Sequence, residues 1–513
     1  MAGKLIRGRY VVTDASRLPD GGLLEDAAIA IEGDRVAAVG SYGVLRERFP
    51  GAEELGSDTG VVIPGLINTH HHGWGLTSFQ LGFNDDYLDS WILDVWQLKP
   101  VDAFLDCLWA DLKNIRLGVT TLLHSAYGRD WSNYERETRD KLRAHQASGI
   151  RAAYALHTLN QHTFVYQDDQ QFLSSLPGGL GSRVASAIAG MKPATTGDFF
   201  SLLDALQQEY AGHSRITIML GPVAPQWVSD DILTRIRERA TEYAAPIHIH
   251  CLESPYQREF GRASYGKSTV EHLREIGFLG PDVSLGHAIW LTGADMDICA
   301  GTGTSVCHNA SSNLRLRSGI LPAARLIEKG VNVSIGMDGT TINDDEDMLN
   351  EIRLVAKLHR LPRYLEYTPC PSSFDVLAMA TVNGGHTLEL GSEIGKLEPG
   401  YKADAVFIDL DEVRSPYLDP QVHVVDAILY RARSHDVDTV VIDGEVVLKD
   451  RQFLNLDEDA VVSELVASAE APLAARTQEW FDILAEVRPH VVRFYERWDS
   501  PDYEPCYTIH SLT

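Results

Sequence analysis

The residues best suited to chemistry are histidines and carboxylates that recur where β-branched runs end. In PGLINTHHH, His70 and His72 stand two apart. Residues so spaced in a strand point to one face, so two imidazoles can meet at a common point. Runs of histidine also occur in polar surface loops, and the pair alone decides nothing. PIHIHCLES adds His250, which can supply a third nitrogen ligand, and Glu253, three residues later. A catalytic zinc site needs about three protein ligands, an open position and a nearby group able to carry protons. His248 shares the alternation of His250 but sits deeper, where a core histidine with satisfied hydrogen bonds is the simpler role. Glu253 by itself could be a helix cap or a solvent carboxylate. His287 closes VSLGHAI and Asp338 closes VNVSIGMD. Ionisable residues are rare at the ends of apolar parallel strands unless a barrel mouth uses them. Four strand ends that carry them together point to one site.

Eight β-rich runs position these groups: 61–70, 118–124, 150–157, 215–221, 246–253, 283–289, 304–309 and 331–338. Helix-period segments separate them, among them VDAFLDCLWADLKNIRLG, NYERETRDKLRAHQASG and SDDILTRIRERATEYAA, the last opened by a Ser-Asp cap. This alternation predicts an α/β fold, a closed (β/α)8 TIM barrel over residues 61–395 with the strand ends at its mouth. Residues 1–60 read as strands and turns, with a hairpin in AAIAIEGDRVAAVG, and residues 396–453 return to strands. Together they are expected to form one small discontinuous β-sandwich domain. The stretch 160–196 is long for a βα connection and could cover the barrel mouth. SSFDVLAMATVNGGHTLEL reads as one helix, and 454–513 as a helical extension whose periodicity indicates packing.

A net charge of −27 argues against a nucleic-acid partner, and no apolar run is long enough to span a bilayer. The opening MAGKLIRGRYVVTD turns polar before an apolar signal can form, so a cytoplasmic location is expected. The six cysteines, Cys107, Cys251, Cys299, Cys307, Cys370 and Cys506, lack C-x-x-C spacing and read as reduced thiols.

In order along residues 5 to 450 the chain carries PGLINTHHH, DDYLDSWILDVW, GPVAPQWVSDDIL, HIHCLES, GHAIWLT, HNASSNLRLRSGILP, GMDGTTINDDEDML and IGKLEPGYKADAVFID. In these motifs it resembles the amidohydrolase superfamily, in the cytosine deaminase-like branch that includes S-adenosylhomocysteine and guanine deaminases and the triazine hydrolases. The resemblance implies one divalent metal, zinc or alternatively iron, held by His70, His72, His250 and Asp338. It places His287 beside the metal, against the attacking water or the substrate. Binuclear relatives use a bridging lysine on the fourth strand, and RITIMLGPVAP has none. Two departures stand out: Gln80-Leu81-Gly82 where the family often has an Arg-Gly pair, and Ala310 where it has Pro.

The chemistry so implied is deamination. A metal-bound hydroxide, its proton taken by Asp338, adds to an amino-bearing carbon of a planar nitrogen heterocycle. Glu253 passes protons to the ring and the departing amine, and His287 steadies the attacking oxygen. Hydrolysis of an amide, urea or carbon–halogen bond at the same metal is the alternative, and a non-catalytic scaffold on the same fold is the third reading. Candidate substrate contacts are Trp74, Phe79, His124, His157, Gln161, His308 and Arg315. Assembly as a homodimer or higher homo-oligomer is expected.

Overall fold

A computed structural model describes residues 3–128, 132–339, 345–360 and 370–498. Cys506, the tail from 499 onward and positions 340–344 of GMDGTTINDDEDML lie outside them. The chain begins with strands β1 (Lys4–Val12), β2 (Leu23–Glu32), β3 (Arg35–Ser41), β4 (Glu53–Gly56) and β5 (Val61–Pro64). β2 and β3 form the expected hairpin, with Gly33 at its tip in the left-handed region (φ +63°).

Eight parallel strands follow: β6 (Leu66–His71), β7 (Val119–Ser125), β8 (Arg151–Thr158), β9 (Ile216–Pro222), β10 (Ile247–Cys251), β11 (Val283–His287), β12 (Ser305–His308) and β13 (Val333–Ile335). They pair in chain order from β6 to β13. The last strand is stitched to the first where Thr69 Oγ1 donates to Ile335 O (2.9 Å) and Asp338 N to His70 O (2.8 Å). The strands are almost wholly buried, as a barrel wrapped by helices requires. Helices Ala103–Arg116, Tyr134–Ser148 and Asp230–Tyr243 occupy the expected segments. Ser229 stands at the N-cap position of the third, but its hydroxyl is taken up with Asp231 (2.5 Å) and Asn160 (2.8 Å) rather than a backbone N–H.

The first expected run, 61–70, serves two sheets. β5 joins the outer sheet and β6 the barrel, with Gly65 between them. A Cβ on Gly65 would meet Thr120 Oγ1 at 2.0 Å, so only glycine lets the chain pass β7 there. Strands β14 (Ala405–Ile408), β15 (Val437–Ile442), β16 (Glu445–Lys449) and β17 (Gln452–Phe453) complete a nine-stranded mixed sheet, ordered β17-β16-β15-β14-β5-β1-β2-β3 with β4 on β1. Its two arms share one apolar core, with Ile6, Ile29 and Val36 from one side and Ala405, Phe407 and Val441 from the other. The small β unit is therefore built from both ends of the chain.

The segment read as one helix after the barrel is two, Ser373–Met379 and Val382–Thr387, broken at Thr381. The insert holds helices Asp169–Ser175 and Leu180–Met191, and the C-terminal extension holds Glu458–Glu470 and Ala475–Tyr495. Among the described residues the five cysteines are free thiols, and no helix is long and apolar enough to cross a membrane.

Candidate active site

Simple alternation does not explain why His70 and His72 look inward. Ile67 packs inside the barrel with Leu123, Ala153 and Met219. Between Asn68 and His71 the pairing of β6 with β7 slips, a bulge that turns His70 and His72 to the mouth. His71, in register with His124 and Tyr154, then faces the helix layer. There its Nε2–H donates to Glu346 (2.9 Å) and its Nδ1 accepts from Gly73 N (2.8 Å). All three histidines of THHH thus have defined partners, so the segment is not a loose polar loop.

On the inward side the rings are anchored through one nitrogen and presented through the other. His72 Nδ1–H donates to Ser125 O (2.8 Å) and His250 Nδ1–H to Val223 O (2.7 Å). His70 Nδ1–H donates to His248 Nε2 (2.7 Å), and His248 Nδ1–H to Ser284 Oγ (2.7 Å). The deep histidine is therefore the support of His70. Each anchored Nδ1–H fixes the tautomer and leaves an Nε2 lone pair directed at the centre. His287 Nδ1–H donates to Asn313 Oδ1 (2.9 Å). His287 (φ +66°) and Asp338 (φ +64°) both adopt left-handed backbone, which re-aims side chains at the ends of their strands.

These groups converge. Asp338 Oδ1 lies 3.2 Å from His70 Nε2 and 3.0 Å from His72 Nε2, while its Oδ2 accepts from the Ser312 hydroxyl (2.5 Å). Ligand atoms of His70, His72 and His250 lie within 4.8 Å of one another, as do those of His70, His287 and Asp338. His287 Nε2 is 3.7 Å from both Glu253 Oε2 and Asp338 Oδ2.

Burial drives His70 and His250 well below the usual imidazole range, toward neutral rings. Burial would raise Asp338, yet its contacts with the His70, His287 and His72 rings hold it well below the carboxylate range. Neutral rings and an ionised carboxylate are met together by a cation at their meeting point. His70 Nε2 and Asp338 Oδ1, both buried, accept no hydrogen bond among the described residues, and the nitrogen and carboxylate donors suit zinc or iron. The residues fit a metal. Glu253 is pushed the other way, well above the carboxylate range, by burial and the charges of Asp338 and Asp89.

Beside this centre is a cavity of about 60 Å3 lined by His72, His250, Glu253, His287 and Asp338 and walled by Trp74, Leu88, Trp91, Tyr127, Trp227 and Leu316, among others. Of the expected substrate contacts, Trp74 is on this wall, its ring 5.6 Å from His72. The others are elsewhere. His124 faces the helices because its register partner is His71, and its Nδ1 pairs with His145 (2.8 Å). His308 likewise turns outward to His359 (3.0 Å). His157 lines a separate cavity of about 250 Å3 that shares Tyr127 with the first. Gln161 bonds Gln226 O (3.4 Å), Arg315 is ion-paired with Asp85, and Phe79 is 70% exposed. The wall helix Leu88–Val95 lies within the motif DDYLDSWILDVW, which was not read as lining the site, although Leu88, Trp91, Ile92 and Val95 follow i, i+3, i+4, i+7 spacing.

An eight-stranded parallel barrel with a histidine and carboxylate centre at the C-terminal ends of its strands defines the class: a barrel of hydrolase type with a metal-ready mouth. The profile of the Amidohydrolase family matches residues 61–447, and that of an Imidazolonepropionase-like composite domain of bacteria matches residues 27–52. The chain belongs to the amidohydrolase family. It is 32% identical over 480 residues to a 5'-deoxyadenosine deaminase of Methanosarcina mazei, covering 92% of this chain and 99% of that one. It is 32% identical over 472 residues to a 5-methylthioadenosine/S-adenosylhomocysteine deaminase of Pelotomaculum thermopropionicum, covering 90% and 97%. Its fold is similar to a zinc-bound adenosine deaminase from Xanthomonas campestris (TM-score 0.76, 24% identity, covering 94% and 98%). It is also similar to a triazine hydrolase from Arthrobacter aurescens (TM-score 0.78, 21% identity, covering 92% and 100%).

Proposed function

We propose that this protein is a metal-dependent aminohydrolase that replaces the amino group of a planar nitrogen heterocycle with oxygen and releases ammonia or an amine. The observation that carries this reading is a pair of buried carboxyls, each 3.7 Å from His287 Nε2, whose surroundings push them in opposite directions, Glu253 up through burial and Asp338 down through its histidine neighbours. Two carboxyls whose environments drive them apart are suited to separate acid and base roles. The deaminase relatives in Methanosarcina mazei and Pelotomaculum thermopropionicum support the same chemistry.

His70, His72, His250 and Asp338 would hold one divalent ion, zinc in preference to iron, and the zinc in the Xanthomonas campestris structure supports that choice. Such an ion lowers the pKa of water toward neutrality and supplies the nucleophile. Asp338 takes the proton of the attacking water. His287, its Nδ1–H committed to Asn313, offers Nε2 as an acceptor that aims the water between the two carboxyls. Glu253 donates to the ring nitrogen as the carbon–oxygen bond forms; the proton that Asp338 took from the water then goes to the departing amine, which leaves poorly otherwise, and the hydroxyl proton of the collapsing adduct restores Glu253. The aromatic wall of Trp74, Trp91 and Trp227 offers flat apolar surface to a heterocycle.

A screen of amino-substituted purines, pterins, pyrimidines and triazines for ammonia release, with metal content measured in parallel, tests this. Turnover by metal-loaded protein, lost on chelation and restored by zinc, is the expected result. If every amino-heterocycle is inert while amides, ureas or halogenated rings are cleaved, the deaminase reading falls and the broader hydrolase remains. Protein that holds no stoichiometric metal and ignores chelators overturns both.

A further inference from the structure

The wall helix Leu88–Val95 is held from behind by segments remote in sequence. Leu93 packs with Phe164, Val165 and Tyr166 of the insert and with Leu484 and Val487 of the C-terminal helix. Arg488 of that helix pairs with Asp94 (3.1 Å) and Asp86 (3.3 Å). Asp89, only 3% exposed, points into this junction. Its Oδ1 accepts from the Tyr166 hydroxyl (2.5 Å) and from Ser254 Oγ (3.1 Å). Ser254 follows Glu253 directly and caps helix Pro255–Tyr265 by accepting from Gln257 N (3.3 Å). Gln257 Oε1 in turn accepts from Glu253 N (2.8 Å). One carboxylate oxygen therefore joins the cavity wall, the insert and the segment that carries the proton donor.

We infer that Asp89 is a positioning residue that determines specificity, because its bonds to Tyr166 and Ser254 fix the distance between the apolar wall and Glu253 and so the width of ring the cavity admits. This rests on the proposed aminohydrolase activity. A heterocycle in the cavity is bounded on one side by Leu88, Trp91 and Val95 and on another by Glu253. Both sides meet at Asp89. Loosening the junction lets the wall retreat, so a small flat substrate is gripped less well and a ring with a bulky substituent is tolerated better. A residue that served only folding would change the amount of active protein but not KM or the ranking of substrates.

The test compares Asp89→Asn with Asp89→Ala in the full-length, metal-loaded protein. Asparagine keeps an oxygen that accepts both bonds, so Asp89→Asn is expected to hold KM and substrate ranking within about threefold of the parent, the scale of a neutral acceptor replacing a charged one. Asp89→Ala removes both bonds and is expected to raise KM for the best small substrate about tenfold or more with a smaller change in kcat. It also shifts relative kcat/KM toward bulkier rings. Backbone amide exchange, which needs no substrate, should rise in helix Leu88–Val95 and around Glu253 in Asp89→Ala but not in Asp89→Asn. If Asp89→Ala does not fold, Tyr166→Phe removes one of the two bonds and gives the same direction at a few-fold scale. Unchanged KM, ranking and exchange in Asp89→Ala, or identical behaviour of the two variants, overturns the inference. If the parent turns over no amino-heterocycle, the functional reading fails separately, and the exchange contrast still decides whether Asp89 holds the wall.

Discussion

The histidines at the mouth and those behind the barrel wall are made of the same material and do opposite work. His71 on the barrel and His145 on helix Tyr134–Ser148 have both ring nitrogens engaged: His71 by Gly73 and Glu346, His145 by His124 and Asp111. His70, His72 and His250 each commit one nitrogen to the protein and hold the other against neighbours that also accept. A satisfied ring contributes to stability, whereas a cluster of facing acceptors is unfavourable until a cation joins it. His70 is as buried as His71 and His145, so orientation is what separates structure from chemistry.

The comparison is broken most directly at His72. His72→Ala is expected to lower kcat/KM about a thousandfold or more and to lose stoichiometric metal, measured by ammonia release and elemental analysis. Retained metal with full activity would remove His72 from the centre. Next in size, Glu253→Gln should keep the metal but lower kcat by about 100- to 10,000-fold, the range for removal of a general acid. On the outward side, His71→Ala should retain metal per folded molecule yet destabilise the protein by about 2 to 3 kcal/mol in thermal denaturation. Loss of metal at constant stability in that variant would erase the distinction between the two sets.

The smallest effect concerns pH. Glu253 donates only while protonated, so the rate falls as pH rises through its elevated pKa. The Asp89 charge helps to raise that pKa, so Asp89→Asn should move the alkaline fall toward lower pH. Asp89 itself is raised by burial to about 6. Its contribution to stability is present below the unfolded carboxyl value and is lost as pH rises through about 6. Asp89→Asn should therefore gain stability relative to the parent as pH rises across that window, which denaturation at a series of pH values would show.

The barrel was legible in the sequence because eight apolar runs separated by amphipathic helices have few other solutions. The convergence of His70, His72, His250, Glu253, His287 and Asp338 was legible because strand ends in such a barrel share one face. The orientation of His124 and His308 was not, because it depends on register with neighbouring strands and on the bulge in β6, neither of which is a local property. The positive φ of His287 and Asp338 is equally silent in residue type. The wall helix carried a readable period, but nothing in its sequence says that the face toward Trp74 lines a cavity while the other meets Tyr166 and the C-terminal helix.

The division of one run of residues between β5 and β6 has a consequence for synthesis on the ribosome. The open edge of β5 pairs with β14, through Val61 with Ile408 and Ile63 with Val406, so it waits for a partner from the far end of the chain. At typical elongation rates of about 5 to 20 residues per second, that delay is on the order of tens of seconds. Throughout it, the nascent N-terminal half-sheet presents an uncovered apolar strand, and the barrel it adjoins is already emerging. A holdase that shields extended backbone should bind the nascent chain until Ala405–Ile408 leaves the exit tunnel.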